Sequence, residues 1–135
     1  MTGTQADLDA VGTAADRLVE AFGAHDVAAY FAAFAPDATF LFHSSPELLG
    51  SRAEYEAAWS SWEEEGFRVE GCETRDRRID MIAPGVAVMT HRVRTRLAGV
   101  DEVQRERETI VFVLADGSSW LGVHEHLSAD PDLAS

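Results

Sequence analysis

The fold is decided by the stretch WLGVHEHLS, residues 120–128. It follows an Asp-Gly pair at 116–117, a dipeptide typical of tight hairpin turns, so it is predicted to form the second strand of a β-hairpin. Because side chains alternate along a strand, His124 and His126 are predicted to share one face of the sheet. Glu125 lies between them and is predicted to point to the other face.

Three amphipathic helices are predicted in the first half of the chain. Apolar residues spaced three and four apart indicate a helix over 5–24. Asp26 is the predicted N-cap of a second helix, which Pro36 ends, and the sequence of Ser51 and Glu54 is typical of a capping box that opens a third. The buried stripes of the second and third helices are predicted to comprise Val27, Tyr30, Phe31, Phe34, Tyr55, Ala58, Trp59 and Trp62.

The second half of the chain has the pattern of strands. One short strand is predicted over 38–43, and four long ones follow over 67–82, 85–97, 103–115 and 118–128, separated by turn residues. Helices placed before an antiparallel meander indicate an α+β fold. No linker interrupts the pattern, so residues 1–135 are predicted to form one domain, ordered over about 5–128 with a short disordered C-terminal tail.

Composition excludes several classes of function. The net charge of −13 argues against nucleic acid and anionic membranes as partners. The absence of lysine excludes Schiff-base chemistry and covalently bound pyridoxal phosphate, and no cofactor is expected. A single cysteine, Cys72, rules out an internal disulfide and thiolate-rich metal sites, which fits a cytoplasmic location. No apolar run reaches the length of about 18 residues typical of a membrane helix.

Charge pairing suggests a register for the two central strands. If the turn between them centres on Val100, the sum of opposed residue numbers is about 200, and oppositely charged residues lie across from each other. The pairs created by this register are Arg92–Glu108 and Arg94–Glu106. Such cross-strand pairs stabilise a sheet, and this favours the register.

The same reasoning carried across the 116–117 turn predicts a pocket. His124 falls opposite Thr109, and His126 falls opposite Arg107. One face then gathers His91, Arg107, Thr109, His124 and His126, with Trp120 further along the same face. We place this face under the helices, where histidine and arginine side chains could line a partly wet cavity, and we place Glu125 outside.

These features resemble one protein family. The Arg107-Glu108-Thr109 run leading into apolar strand residues, the Asp-Gly turn and the ending Trp120…His124-Glu125-His126-Leu127-Ser128 resemble the nuclear transport factor 2-like superfamily. More narrowly, the chain is similar to its SnoaL-like branch, the ketosteroid isomerase-like and polyketide cyclase-related small proteins. The resemblance covers about residues 5–128.

The resemblance implies a conical, cystatin-like α+β barrel with an internal cavity, in a homodimer. It does not imply one activity, because the superfamily contains isomerases, cyclases, dehydratases, hydrolases and non-enzymatic modules. Steroid isomerases of this fold use a carboxylate base with a tyrosine and a protonated aspartic acid as oxyanion donors. The sequence shows no match to that set.

Two functions stay open, and a third is an alternative use of the histidines. The protein is predicted either to bind a small molecule in its cavity or to act as an acid–base enzyme on a small apolar or carboxylate-bearing metabolite. The catalytic candidates are His126, His124, Arg107 and His43. The ligand-binding candidates are Tyr30, Tyr55, Trp59, His91, Thr109 and Trp120. The alternative is a metal site formed by His91, His124 and His126.

Overall fold

The computed structural model describes residues 4–131. The elements in chain order are α1 (Gln5–Gly23), α2 (Val27–Ala32), β1 (Phe34–Phe42), α3 (Arg52–Glu64), β2 (Val69–Ala83), β3 (Val86–Leu97), β4 (Gln104–Ala115) and β5 (Ser119–Ala129). The predicted α+β order of three helices and a strand meander is confirmed. No helix within these residues is long and apolar enough to cross a membrane.

Side chains cap the start of each helix. Thr4 and Asp7 form a reciprocal capping box at α1, and the carboxylate of Asp26 accepts a hydrogen bond from the backbone of Ala29 at 3.2 Å. At α3 the Ser51 hydroxyl accepts from the backbone N–H of Glu54 at 3.1 Å. The Glu54 carboxylate reaches back to the N–H of Gly50 at 3.2 Å, one residue beyond its expected partner. The predicted helix starts follow from these caps.

The second helix is shorter than predicted. It ends at Ala32, and Phe34 and Pro36 belong to β1. A proline is tolerated there because β1 is an edge strand, where a missing N–H breaks no ladder bond. Phe34 therefore enters the core from the sheet and not from a helix.

The five strands form one open sheet in the order β1-β5-β4-β3-β2. β1 and β5 run parallel, and all other neighbours run antiparallel. The helices cover one face of this bent sheet, which we call the inner face. The largest fully buried side chains lie between the helices and the inner face: Trp59, Phe34, Phe40, Phe112, Met89, Ile110, Glu125 and Val11. Glu125 is the one acidic residue among these eight.

The C-terminal end is ordered further than predicted. Ala129 belongs to β5, and the next residue, Asp130, is 3% exposed. The Asp130 carboxylate lies 3.0 Å from a guanidinium nitrogen of Arg92 and 3.1 Å from one of Arg94. These ion pairs hold residues 129–130 on the sheet, so the predicted tail begins too early; residues 132–135 lie outside the described part.

A close approach of β1 and β5 gives a first testable prediction. A Cβ built on Gly122 would lie 2.8 and 2.9 Å from two ring carbons of the fully buried Phe34. We expect Gly122→Ala to lower the free energy of unfolding by roughly 1–3 kcal/mol, since the core must shift to admit the methyl group. Urea unfolding monitored by circular dichroism measures the change.

Gly12→Ala is the matched control for this substitution. Gly12 lies inside α1, and a Cβ there meets only the Cδ1 of Ile79, at 3.9 Å. Alanine is the better helix former by about 1 kcal/mol, so this variant should be as stable as the parent or more stable. Equal stability of the two variants would contradict the packing argument.

Candidate functional site

The register of β3 and β4 differs from the prediction by one residue. His91 lies opposite Glu108, and Arg92 lies opposite Arg107, so the sum of opposed numbers is 199. The predicted pairs between arginines 92 and 94 and glutamates 106 and 108 are therefore wrong. The arginines are instead paired with Asp130. A shift of one residue exchanges the two faces, which moves His91 away from the other predicted pocket residues.

The hairpin of β4 and β5 is also displaced. Its turn contains three residues, since the N–H of Ser118 bonds the carbonyl of Ala115 at 3.1 Å. A bulge then adds one more residue at Val123, so that His126 and not His124 lies opposite Thr109. The longer turn and the bulge together shift the pairing of β5 with β4 by two residues. Because side chains alternate with a period of two, His124 and His126 still share a face with Arg107 and Thr109, as predicted.

Four of the predicted pocket residues do share a face: Arg107, Thr109, His124 and His126. That face is turned away from the helices, and we call it the outer face. Arg107 and His126 are exposed, and the Nδ1 of His124 lies 2.8 Å from the hydroxyl of Thr39 on β1. The prediction that these residues lie under the helices is therefore wrong.

The alternative metal site is wrong for the same reason. His91 belongs to the inner face, while the rings of His124 and His126 lie on the outer face with centroids 6.4 Å apart. Within residues 4–131 no group of three histidine, cysteine, aspartate or glutamate side chains is arranged to hold a metal ion.

The inner face carries a continuous line of buried polar side chains. The Tyr55 hydroxyl lies 2.9 Å from the Tyr30 hydroxyl, which in turn donates to the Oε1 of Glu125 at 3.3 Å. The carboxyl of Glu125 is hydrogen-bonded to that of Glu108. The Oε1 of Glu108 lies 2.6 Å from the Nε2 of His91. We call this set, Tyr55–Tyr30–Glu125–Glu108–His91, the inner polar line.

Burial sets the proton content of the inner polar line. Burial raises the pKa of Glu108 to about 7. Burial first, and then the charge of Glu108, raise the pKa of Glu125 well above its usual range. Both shifts favour the protonated form, so the hydrogen-bonded pair of carboxyls holds a proton to a higher pH than exposed carboxyls would. Such a pair of carboxyls offers one donor and one acceptor side by side.

His91 is held neutral at the end of the line. Burial and the nearby charge of Arg77 lower the pKa of His91 to about 4. Its Nδ1 lies 2.5 Å from the hydroxyl of Thr74, a group that can donate or accept. When Glu108 is protonated it donates to Nε2, and when it is ionised it accepts from Nε2–H. Thr74 accommodates both ring tautomers, so the pair can change its proton content without losing a hydrogen bond.

A small cavity lies beside the inner polar line. Its volume is about 40 Å³, enough for two or three water molecules. Its polar lining residues are Tyr30, Tyr55, Cys72, Thr95, Glu106, Glu108 and Glu125, and its apolar ones are Leu18, Val19, Phe22, Val93 and Leu127. Three carboxyls and no arginine are among the residues that line it.

His43 lies near this cavity, although it is exposed. Its Nε2 is 2.7 Å from the Oε2 of Glu106, which lines the cavity wall. Among the four predicted catalytic residues it is the one whose partner reaches the cavity. Its hydrogen bond places it at the edge of the inner face and away from the two carboxyls that share a proton.

The predicted ligand-binding residues are divided by the structure. Tyr30 and Tyr55 line the cavity. Trp59 is 1% exposed in the core and donates from Nε1 to the Oε2 of Glu63 at 3.1 Å. Trp120 lies outside the inner cavity, at a groove between the helices and the β4–β5 turn. The fifth and sixth candidates, His91 and Thr109, lie on opposite faces.

Glu108 and Glu125 are not among the candidate site residues predicted from the sequence. The sequence does contain a signal for the burial of Glu108. Glu108 lies two and four residues before Ile110 and Phe112, so it shares a strand face with two large apolar side chains that are buried in the core. The register predicted from the sequence instead paired Glu108 with Arg92 and so placed it on the charged face. Tyr30 and Glu125 come from opposite ends of the chain, and the fold brings a tyrosine hydroxyl and a buried carboxyl into hydrogen-bond contact.

The raised pKa of Glu108 gives a prediction for stability. In the unfolded chain this carboxyl titrates near 4.5, and in the folded protein at about 7. Between these values the folded state binds more protons, so the free energy of unfolding falls as the pH rises from 4.5 to 7. The contribution lost is about 3 kcal/mol. Glu108→Gln should remove it, which urea unfolding of both proteins across this range would measure.

His91 contributes in the opposite direction, because its folded pKa is lowered to about 4 and its stabilisation is lost as the pH falls. It is present in both proteins, so the difference between parent and Glu108→Gln reports the hydrogen-bonded carboxyls of Glu108 and Glu125 together. Glu73→Gln, on an exposed side chain, is the control and should leave the pH trend unchanged. Parallel curves for the parent and Glu108→Gln would contradict the buried-acid assignment.

Comparisons with known proteins agree with this architecture. An NTF2-like protein from Pseudomonas putida KT2440 has a TM-score of 0.79 and 18% identity, over 99% of this chain and 93% of that one. ActVI-ORFA from Streptomyces coelicolor has a TM-score of 0.72 and 18% identity, over 91% and 96% of the chains. A candidate scytalone dehydratase from Novosphingobium aromaticivorans has a TM-score of 0.75 and 12% identity, over 93% and 85%. These likenesses define an NTF2-like, cystatin-like α+β fold.

The family is given by the sequence itself. The model of the SnoaL-like domain matches residues 11–131, nearly the whole chain. The chain belongs to the SnoaL-like domain family. No curated protein matches it.

Proposed function

We propose that this protein is a cofactor-independent acid–base enzyme that moves a proton at the carbon next to a carbonyl group of a small, uncharged compound. The observation that carries the proposal is the inner polar line, in which two hydrogen-bonded carboxyls of raised pKa lie against the same cavity. A shared proton at neutral pH is the arrangement that acid–base catalysis needs. Structural neighbours include candidates for ketosteroid isomerase and scytalone dehydratase, which support this class of reaction.

The carbonyl oxygen would bind between Tyr30 and Glu125. Their hydrogen bond, 3.3 Å, is the longest measured in the line and the one that an inserted oxygen can replace most easily. The oxygen would then accept from the Tyr30 hydroxyl and from the protonated Glu125. Both donors are buried, where hydrogen bonds to a developing oxyanion are strong.

Glu108 would be the base. In its ionised form it removes the proton from the carbon next to the carbonyl, and it returns a proton to the same carbon or to one further along a conjugated system. The Nε2–H of His91, 2.6 Å away, stabilises the ionised carboxylate during this step. Thr74 holds the other ring nitrogen and so keeps the imidazole in place.

The substrate would be uncharged and compact. The cavity presents carboxyls and no arginine, so the carboxylate-bearing metabolites considered from sequence fit it poorly. A volume of about 40 Å³ is far below that of a usual ligand site, about 300–1,000 Å³. Binding therefore requires the α1 side chains of Leu18, Val19 and Phe22 to move outward.

Ligand binding without turnover is the second candidate. The observation that favours it is that every group of the inner polar line already has a hydrogen-bond partner. A satisfied line of this kind can serve to hold a bound polar molecule, or the core itself, in one arrangement. The two candidates differ in whether carbon-bound protons exchange.

The test is deuterium exchange followed by proton NMR. The protein is mixed in D₂O with small ketones and enones, such as cyclopentanone and cyclohexenone, and with acetate as the anionic comparison. Loss of the signal next to the carbonyl, faster than in buffer, supports the enzyme. Saturation transfer to the ketones without exchange supports binding alone. Neither effect with any ketone would overturn both candidates.

A homodimer and a cytoplasmic location are the accompanying parts of the proposal. One end of the outer face carries half-buried apolar side chains, Val88, Val111, Val113 and Leu121. Burying them against a second copy would be favourable. Light scattering on a sizing column measures the assembly, and a mass of one chain would contradict it.

A further inference from the structure

The arginines of this acidic protein are concentrated on one surface. The net charge is −13, yet seven of the eleven arginines lie on the outer face of β2, β3 and β4. They are Arg75, Arg78, Arg92, Arg94, Arg96, Arg105 and Arg107. We call this surface the outer arginine face.

The register places like charges directly opposite one another on this face. Arg75, Arg92 and Arg107 form one row across three strands, and Arg94 and Arg105 form the next. Like-charged cross-strand pairs destabilise a sheet in isolation. Bound anions would remove this cost.

Carboxylates neutralise part of the face. Asp130, whose side chain is fully buried, pairs with Arg92 and Arg94 at 3.0 and 3.1 Å. Asp80 lies 2.8 Å from Arg78. Arg107 is exposed and has no ion pair or hydrogen bond within the described residues. In the row Arg75–Arg92–Arg107, Arg75 pairs with Glu73 at 3.2 Å and Arg92 lies 3.5 Å from Asp76. Arg107 is therefore the member of this row whose charge a bound anion would meet.

Arg107 belongs to a regular grid of donor side chains. On the outer face, Thr90, Thr109 and His126 form one row across β3, β4 and β5, and Arg92, Arg107 and Ser128 form the adjacent row. Rows on one face are about 7 Å apart, and neighbouring strands are about 4.8 Å apart, so one small group can reach several of them. These six residues line a groove of about 410 Å³, together with Asp76, His91 and Glu108.

We propose that this groove binds the phosphate group of a small phosphate monoester. Guanidinium and hydroxyl groups arrayed around one point suit the tetrahedral oxygens of phosphate, which accept hydrogen bonds from several directions. A planar carboxylate accepts mainly in one plane and would use fewer of the donors. The groove opens on the outer face and the inner cavity lies under the helices, with Glu108 lining both. Phosphate binding in the groove does not depend on the reaction proposed for the cavity.

Size and charge exclude larger occupants. A long polyanion would be repelled by the acids over the rest of the molecule, since the net charge is −13. A second copy that covered this part of the outer face would set Arg107 and Arg75 against an equally basic surface. A molecule of a few ångströms avoids both costs.

The test is a calorimetric titration at low ionic strength with phenyl phosphate as the probe. We expect saturable binding with one site per chain. Arg107→Gln should weaken it by roughly tenfold, the usual effect of removing a charge-assisted hydrogen bond. Arg78→Gln is the matched control, because it removes the same charge from the same face but lies outside the groove, where Arg78 is already paired with Asp80.

The outcomes separate a site from general attraction. Retention of the parent melting temperature in Arg107→Gln shows that the variant is folded, and a selective loss of binding in it supports the groove. Equal weakening in both variants, or no saturation, would overturn the site. Tighter binding of citrate than of phenyl phosphate would overturn the assignment to phosphate. Deuterium exchange of ketones reports on the inner cavity, so the titration with phenyl phosphate tests the groove independently of the proposed function.

Discussion

Glu108→Gln should lower the exchange of carbon-bound protons by about 10²–10⁴-fold, the contribution typical of a positioned general base. Glutamine keeps the shape of the side chain and a hydrogen bond to His91, but it cannot accept a proton from carbon. Tyr30→Phe removes one of the two proposed oxyanion donors and should cost about 10²–10³-fold. Exchange rates of cyclohexenone in D₂O at saturating ketone measure both effects.

Glu73→Gln is the matched control for these variants. It makes the same chemical change on an exposed side chain of the outer face and should leave the exchange rate unchanged. His124→Gln separates the two faces, since His124 bonds Thr39 on the side away from the cavity. A loss of exchange in His124→Gln with full activity in Glu108→Gln would place the chemistry on the outer face and contradict the proposed function.

Trp59→Ala should lower the free energy of unfolding by about 3–5 kcal/mol, enough to unfold a large fraction of a marginally stable domain. Trp59 is 1% exposed, and its ring lies within 4.9–6.0 Å of six other aromatic rings. Removing it leaves a cavity that these rings cannot fill without leaving their packed positions. Urea unfolding measures the loss.

Trp62→Ala provides the comparison on the same helix. Trp62 is half-buried at the edge of the core, so the same truncation should cost clearly less. Equal losses in the two variants would contradict the distinction between a core tryptophan and a peripheral one. A stable Trp59→Ala that fails to bind ketones would return Trp59 to the ligand-binding set predicted from sequence.

Much of the fold could be predicted because its signals are local. The helix starts at Asp26 and Ser51 depend on side chains that bond the adjacent backbone, and the Asp-Gly turn at 116–117 depends on backbone conformations that few residues adopt. The family ending at 120–128 is a continuous stretch. Each of these signals can be recognised within a few residues, and each corresponds to a structural feature.

The candidate site could not be predicted in the same way, because its residues are far apart in the sequence and meet only in the folded chain. Tyr30 comes from α2, Glu108 from β4 and Glu125 from β5, and no spacing in the sequence links them. Their contact results from packing the helices on a particular face of the sheet. The two tyrosines were among the ligand-binding candidates predicted from the sequence. The predicted register paired Glu108 with Arg92, and alternation with the histidines placed Glu125 outside.

The sequence by itself determined the order of helices and strands, the alternation along each strand, and the family. Only the tertiary structure decided which alternate set faced the helices. Side chains repeat every two residues along a strand, so an error of one residue between β3 and β4 exchanges the inner and outer faces. Burial of Ile110, Phe112 and Met89 under the helices decides which face is the inner one. The free energy gained by this burial comes from the packing of the whole core and not from any one strand. That packing carries Glu125 inward and leaves His124 and His126 outside.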